Sequence, residues 1–162
     1  MRRKRIYEAV VNRLQEASLG FVHFGLWSNF REENTPTPVF STPAVLVEFE
    51  PVNWRMIRRE IREGLLTVRV HIITDGAADD MAHFDLAETV VDTLQGLHGA
   101  EGDGFSSLIP FESVTDTLCH ALRDDRESFT TRVIEMPPLP KVAPQLIPAK
   151  PAIGISHEKY EQ

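Results

Sequence analysis

Cysteine is almost absent from this sequence. The lone Cys119 can form neither an internal disulfide nor a multi-cysteine zinc site, so a disulfide scaffold is excluded and a reducing compartment is expected. Long apolar runs are missing as well: no stretch approaches the roughly 20 residues of a membrane span, and no membrane association is expected. Basic excess is lacking, because the 162 residues carry a net charge of -7. Proteins that bind nucleic acid in general need surplus Lys and Arg to neutralise phosphates, which argues against that class. A phosphate-binding loop is missing too, since GAEGDG lacks the Lys-Ser/Thr of a P-loop and does not lie between a strand and a helix. The MRRKR start is followed by IYEAVVNRLQEA, whose Glu8, Arg13 and Glu16 break the apolar run of a signal peptide, so it reads as a basic helix start.

What is present is the composition of a globular protein, 42% hydrophobic and 25% charged, long enough for one core. Ile6, Ala9, Val10, Leu14 and Ala17 recur at helical spacing and predict an amphipathic helix over 4–18, ending near Gly20. FVHFGLW fits a short strand or an apolar loop, and the 28–43 segment, with Pro36, Pro38 and Pro43, predicts a long ordered loop. In PAVLVEFEP, Val45, Val47 and Phe49 share one strand face. GLLTVRVHIIT does the same with Leu66, Val68, Val70 and Ile72, leaving Thr67, Arg69 and His71 on the other. Two strands with one apolar face each predict an antiparallel pair with helices on that side and polar groups on the other.

TDGAADD supplies a turn and an acidic cap for a core helix over 79–96 with Phe84, Ala87, Val90, Val91 and Leu94 on its stripe. GLHGAEGDG reads as a flexible turn, and two or three strands follow between Phe105 and Met136, the last placing Phe129, Thr131 and Val133 on one face. The fold class is therefore α+β: an antiparallel or mixed sheet, two main helices on one face, a long β-hairpin arm and an extended tail. The domain is expected over 1–136. Over 137–162, which holds six of the eleven prolines, an extended docked arm and a disordered tail are equally open.

No residue set converges on chemistry. His71, Asp75, Asp79, Asp80 and His83 are the best metal candidates, but helix capping and ordinary strand polarity explain them more simply. Glu48 and Glu50 share a strand face as an acid and base pair would, yet cross-strand pairing with Arg69 is the commoner outcome. Cys119 and His120 are neighbours that a strand would point to opposite faces. The expectation is a non-enzyme without metal or cofactor.

The arginine-rich excursion VNWRMIRREIREG remains. Arg55, Arg58, Arg59 and Arg62 alternate with Trp54, Met56, Ile57 and Ile61, giving a helical or ribbon-like excursion one apolar and one cationic side. Trp and Arg are enriched at interface hot spots, so Trp54, Arg55, Met56, Arg58, Arg59 and Arg62 are the candidate interface residues, facing an acidic partner or a neighbouring subunit. The competing reading folds Trp54 back onto its own core.

The phrases IYEAVVNRL, TPAVLVEFEPVNW, LTVRVHIIT, LAETVVDTLQGL and FTTRVIEM, in that order over about 4–136, resemble the tail terminator or head-to-tail connector proteins of long-tailed bacteriophages and prophages. The resemblance implies a subunit of a hexameric ring at the tail-neck junction of a virion, assembled in the bacterial cytoplasm. It implies as partners further copies of itself, the tail-tube protein and a head-completion protein, with DNA passing through the lumen and acidic residues on its wall. Trp54 to Arg62 would project as the assembly arm. Alternatives are another neck or head-completion connector, a small metal-dependent hydrolase using His71, Asp80 and His83, or a DNA-binding regulator using the arginine arm.

Overall fold

The computed structural model describes residues 2–29, 41–76, 81–118 and 122–136. The fold is α+β, with two helices on one face of a six-stranded mixed sheet. Helix α1, Arg2–Glu16, starts and stops two residues earlier than its periodicity predicts. It buries Ile6, Val10 and Leu14, and the chain turns away through Ser18 and Gly20, both at positive φ. FVHFGLW resolves as strand β1, His23–Leu26, followed by a 3-10 turn, Trp27–Asn29. Most of the proline-rich 28–43 loop lies outside the described residues, as does the whole 137–162 segment.

Strand β2, Ala44–Phe49, runs parallel to β1 and antiparallel to the long strand β4, Ile61–Asp75. After Pro51 the chain forms β3, Asn53–Arg58, which returns to β4 through the Arg59–Glu60 turn. The hairpin predicted here exists, but the chain does not leave the sheet to make it. Strands β2 and β3 lie end to end along the same edge of β4, interrupted where Pro51 has no N–H to give. A bulge between Met56 and Arg58 adds twist near the tip.

Helix α2, Ala82–Leu94, is shorter than its predicted span. Its cap is Met81, which makes no side-chain cap bond, whereas an aspartate was expected; Asp79 and Asp80 lie outside the described residues. Ala87, Val90 and Leu94 are buried as predicted, but Phe84 is 43% exposed and His83 is buried beside it. The 95–104 turn is pinned: Gly96 N–H donates to the Leu108 carbonyl (2.9 Å), and Arg5 pairs with Asp103 (2.7 Å). Two strands complete the sheet, β5 (Ile109–Thr117) and β6 (Leu122–Glu135), giving the order β1-β2-β4-β6-β5 with β3 beside β4.

One core fills the space between helices and sheet. Ile6, Val10 and Leu14 of α1 and Ala87, Val90 and Leu94 of α2 meet Val45, Val47, Leu66, Val68, Val70, Ile72, Phe129 and Val133 from the strands. Alternation in β2, β4 and β6 therefore places each apolar phase as read from sequence. The opposite face departs from the prediction of polar groups alone. Ala44, Leu46, Ile73 and Leu122 form a second apolar cluster there, with Trp27 and Leu118 packed on it.

Candidate assembly surface

The hairpin divides the six candidate residues among three places. Trp54 pairs with Gly64 and Met56 with Arg62, so these side chains lie on the helix-bearing face, beyond the first turn of α1. The Arg62 guanidinium sits 4.5 Å from the Trp54 ring centroid, a cation-π geometry, and also binds Glu135 on β6. Trp54 is 36% exposed, half fixed by Arg62 and Gly64, while Met56 is 63% exposed. A small cavity of about 240 Å³ lies between Arg3, Val52, Trp54, Arg62 and Glu135.

Arg55 points to the other face, where its guanidinium binds Glu63; Arg132 approaches the same carboxylate at 3.4 Å. Arg58 and Arg59 stand at the tip, exposed, and among the described residues neither has an ion pair. Two of the four arginines are thus neutralised within the subunit. The continuous cationic side expected from the sequence contracts to the tip, because Glu63 and Glu135 are brought alongside by strand register.

Gly64 decides whether the hairpin can close. A Cβ built on it would lie 2.4 Å from Val52 Cγ1 and 2.9 Å from the Asn53 carbonyl oxygen. The missing side chain lets β3 approach β4 closely enough for Trp54 to cover the backbone there.

The other chemistry-bearing residues scatter. His71 lies on the helix-free face with Nδ1 2.9 Å from Asp124 and Nε2 3.3 Å from Glu48, and its ring stacks on Trp27 at 3.7 Å and 5°. His83 lies on the core side, where Nδ1 meets Asp125 at 2.7 Å, with Thr115 donating to the same carboxyl at 2.6 Å. The sheet separates the two histidines of the candidate metal set, and among the described residues no metal-ligating group of three assembles. Glu48 and Glu50 both turn to Arg69, at 3.7 and 2.5 Å, as cross-strand pairing predicts. Cys119 and His120 lie outside the described residues.

Two further features escape sequence reading. A cleft of about 560 Å³ opens between α1 and the β1–β2 edge, lined by Arg3, Tyr7, Leu26, Trp27 and Phe49; burial raises the Tyr7 phenol above its ordinary pKa. Strand β5 is the opposite edge of the sheet, and Ile109 and Phe111 are 58% and 56% exposed on it. The signal for the second lay in its composition: IPFESVTDT offers no continuous apolar face, so its apolar residues were bound to meet solvent on one side or the other.

No protein-family model matches the chain, and no curated protein matches it. A solved structure does. A chain of a particle described as "Virion of native gene transfer agent (GTA) particle" superposes with a TM-score of 0.57 at 18% identity, covering 80% of this chain and 94% of that one. At that identity the match speaks for a shared fold across nearly the whole of the virion chain.

Proposed function

We propose that this chain is a structural subunit of a phage-like virion, a tail terminator or head-to-tail connector that closes into a hexameric ring where the tail tube meets the head. The observation that carries the reading is the fold shared with a virion chain over 94% of its length. The distribution of side chains supports it. Arg69, His71 and His83 are paired with carboxylates within the subunit, while Met56, Ile57, Ile109 and Phe111, among the exposed apolar side chains, sit on strand edges, where neighbouring subunits meet.

In this reading the helices form the outside of the ring. On the helix-free face the acids Glu48, Glu50, Glu63, Glu112, Asp116 and Asp124 outnumber the arginines Arg55, Arg69, Arg126 and Arg132; this face forms the lumen wall, and its net negative charge repels DNA phosphates as they pass. Light scattering and electron microscopy of the purified protein, alone and mixed with its tail-tube protein, test the proposal. A ring of six is the expected result; a strict monomer in both samples overturns it.

A further inference from the structure

The sheet ends in two edges of opposite charge. Strand β3, NWRMIR, carries cations and no acid, and the turn after it adds Arg59 and Glu60, leaving this edge net basic; strand β5, IPFESVTDT, carries Glu112 and Asp116 and no base. Among the described residues no strand covers the outer side of either. Both edges are exposed along their length, and both carry large apolar side chains beside the charges: Met56 and Ile57 on one, Ile109 and Phe111 on the other.

Four charges on these edges, Arg58, Arg59, Glu112 and Asp116, have no ion pair among the described residues. Glu112 makes only a 3.2 Å hydrogen bond from Ser128. Asp116 stands directly opposite Asp124 in the β5–β6 ladder, a like-charge cross-strand pair, and Asp124 already serves His71. A cation approaching from the open side of β5 would relieve Asp116. Direction also agrees: β3 is antiparallel to β4, β4 to β6 and β6 to β5, so β3 of one copy beside β5 of an equally oriented copy forms an antiparallel pair.

From this we infer that the subunits join head to tail by strand addition, the basic β3 edge of one copy docking on the acidic β5 edge of the next. Such a contact uses two different surfaces of each copy, the arrangement that closes a ring. Because β3 lies beside residues 61–65 of β4 and β5 beside residues 123–130 of β6, the next copy is displaced along the strands. The displacement is an even number of residues, which keeps the helix-bearing faces together. Strand tilt, typically about 35–45° in closed barrels, accommodates a stagger of this kind.

The inference rests on the ring reading, and charge exchange separates the two. One variant reverses the basic edge (Arg58→Glu with Arg59→Glu), a second reverses the acidic edge (Glu112→Lys with Asp116→Lys), and a third carries all four changes. These positions are exposed, so circular dichroism should match the wild type. Expected from light scattering and electron microscopy are rings for wild type, monomers for each two-site variant alone, and rings again for their equimolar mixture and for the four-site chain. In the mixture every junction alternates but remains complementary. Rings from both two-site variants alone, or no recovery in the mixture and the four-site chain, overturn β3–β5 docking and leave the ring itself standing. A monomeric wild type, alone and with the tail-tube protein, overturns both.

Discussion

Replacing Gly64 by alanine tests whether the base of the hairpin is as tightly set as its geometry requires. The added methyl would meet Val52 Cγ1 at 2.4 Å and the Asn53 carbonyl oxygen at 2.9 Å, with Trp54 Cε3 at 3.4 Å. Val52 packs on the main core and the Asn53 oxygen belongs to the backbone, so neither moves away cheaply. Overpacking of this kind costs about 1–3 kcal/mol. Movement of β3 also loosens Arg62 on Trp54, worth about 0.5–1 kcal/mol at an exposed site. Against this, alanine lowers the entropy of the unfolded chain by about 0.4–1 kcal/mol. The net loss is about 1–3 kcal/mol, a fall in Tm of about 3–10 °C for a domain of this size. Thermal melts by circular dichroism measure it, and hydrogen exchange should show faster exchange at the β3–β4 amides than in the β4–β6 ladder. An unchanged Tm with unchanged β3 protection would refute the argument and make β3 a loosely attached strand.

Two buried polar sites on the core side give further predictions. Burial pushes the Glu127 carboxyl above its ordinary 4.5; the Ser113 hydrogen bond opposes this and Asp125 adds to it. The folded state therefore favours protonated Glu127, a contribution fully present below about 4.5 and lost as pH rises through the higher folded value. Glu127→Gln removes this dependence, so across that window its urea midpoint should fall less with pH than the wild type's; parallel curves would refute the assignment. His83→Ala leaves the Asp125 carboxyl, 1% exposed, with Thr115 as its remaining described partner and should cost about 1–3 kcal/mol. In a double-mutant cycle Asp125→Asn should recover part of that loss, and strict additivity would show that the two groups do not interact.

The regular elements were legible because their patterns are local. Leu66, Val68, Val70 and Ile72 alternate strictly, and Val10, Leu14, Val90 and Leu94 keep helical spacing, so their buried phase follows from sequence and is found buried. Residues at the margin of a stripe were not. Periodicity places Phe84 and His83 next to one another, and the choice to bury His83 depends on Asp125, 42 residues further on. Strand β1 is only four residues long, too short for alternation to distinguish it from an apolar loop. The second apolar cluster was hidden because Leu122 and Ile73 belong to phases that are otherwise polar.

The arm shows the same division between local and non-local information. Composition sees four arginines; register decides which of them still carries uncompensated charge. Glu63 is eight residues from Arg55 and Glu135 is 73 from Arg62, and each is delivered by a strand pairing, the first within the hairpin and the second across β6. The exposed Arg62–Glu135 pair contributes about 0–1 kcal/mol to stability, so its main consequence lies elsewhere. By pairing Arg55 and Arg62 the fold confines uncompensated positive charge to Arg58 and Arg59 at one edge and leaves Glu112 and Asp116 at the other. Local neutralisation thereby turns a diffusely basic segment in an acidic protein into a polarised sheet, and that polarity is the ground on which the proposed β3–β5 docking between copies rests.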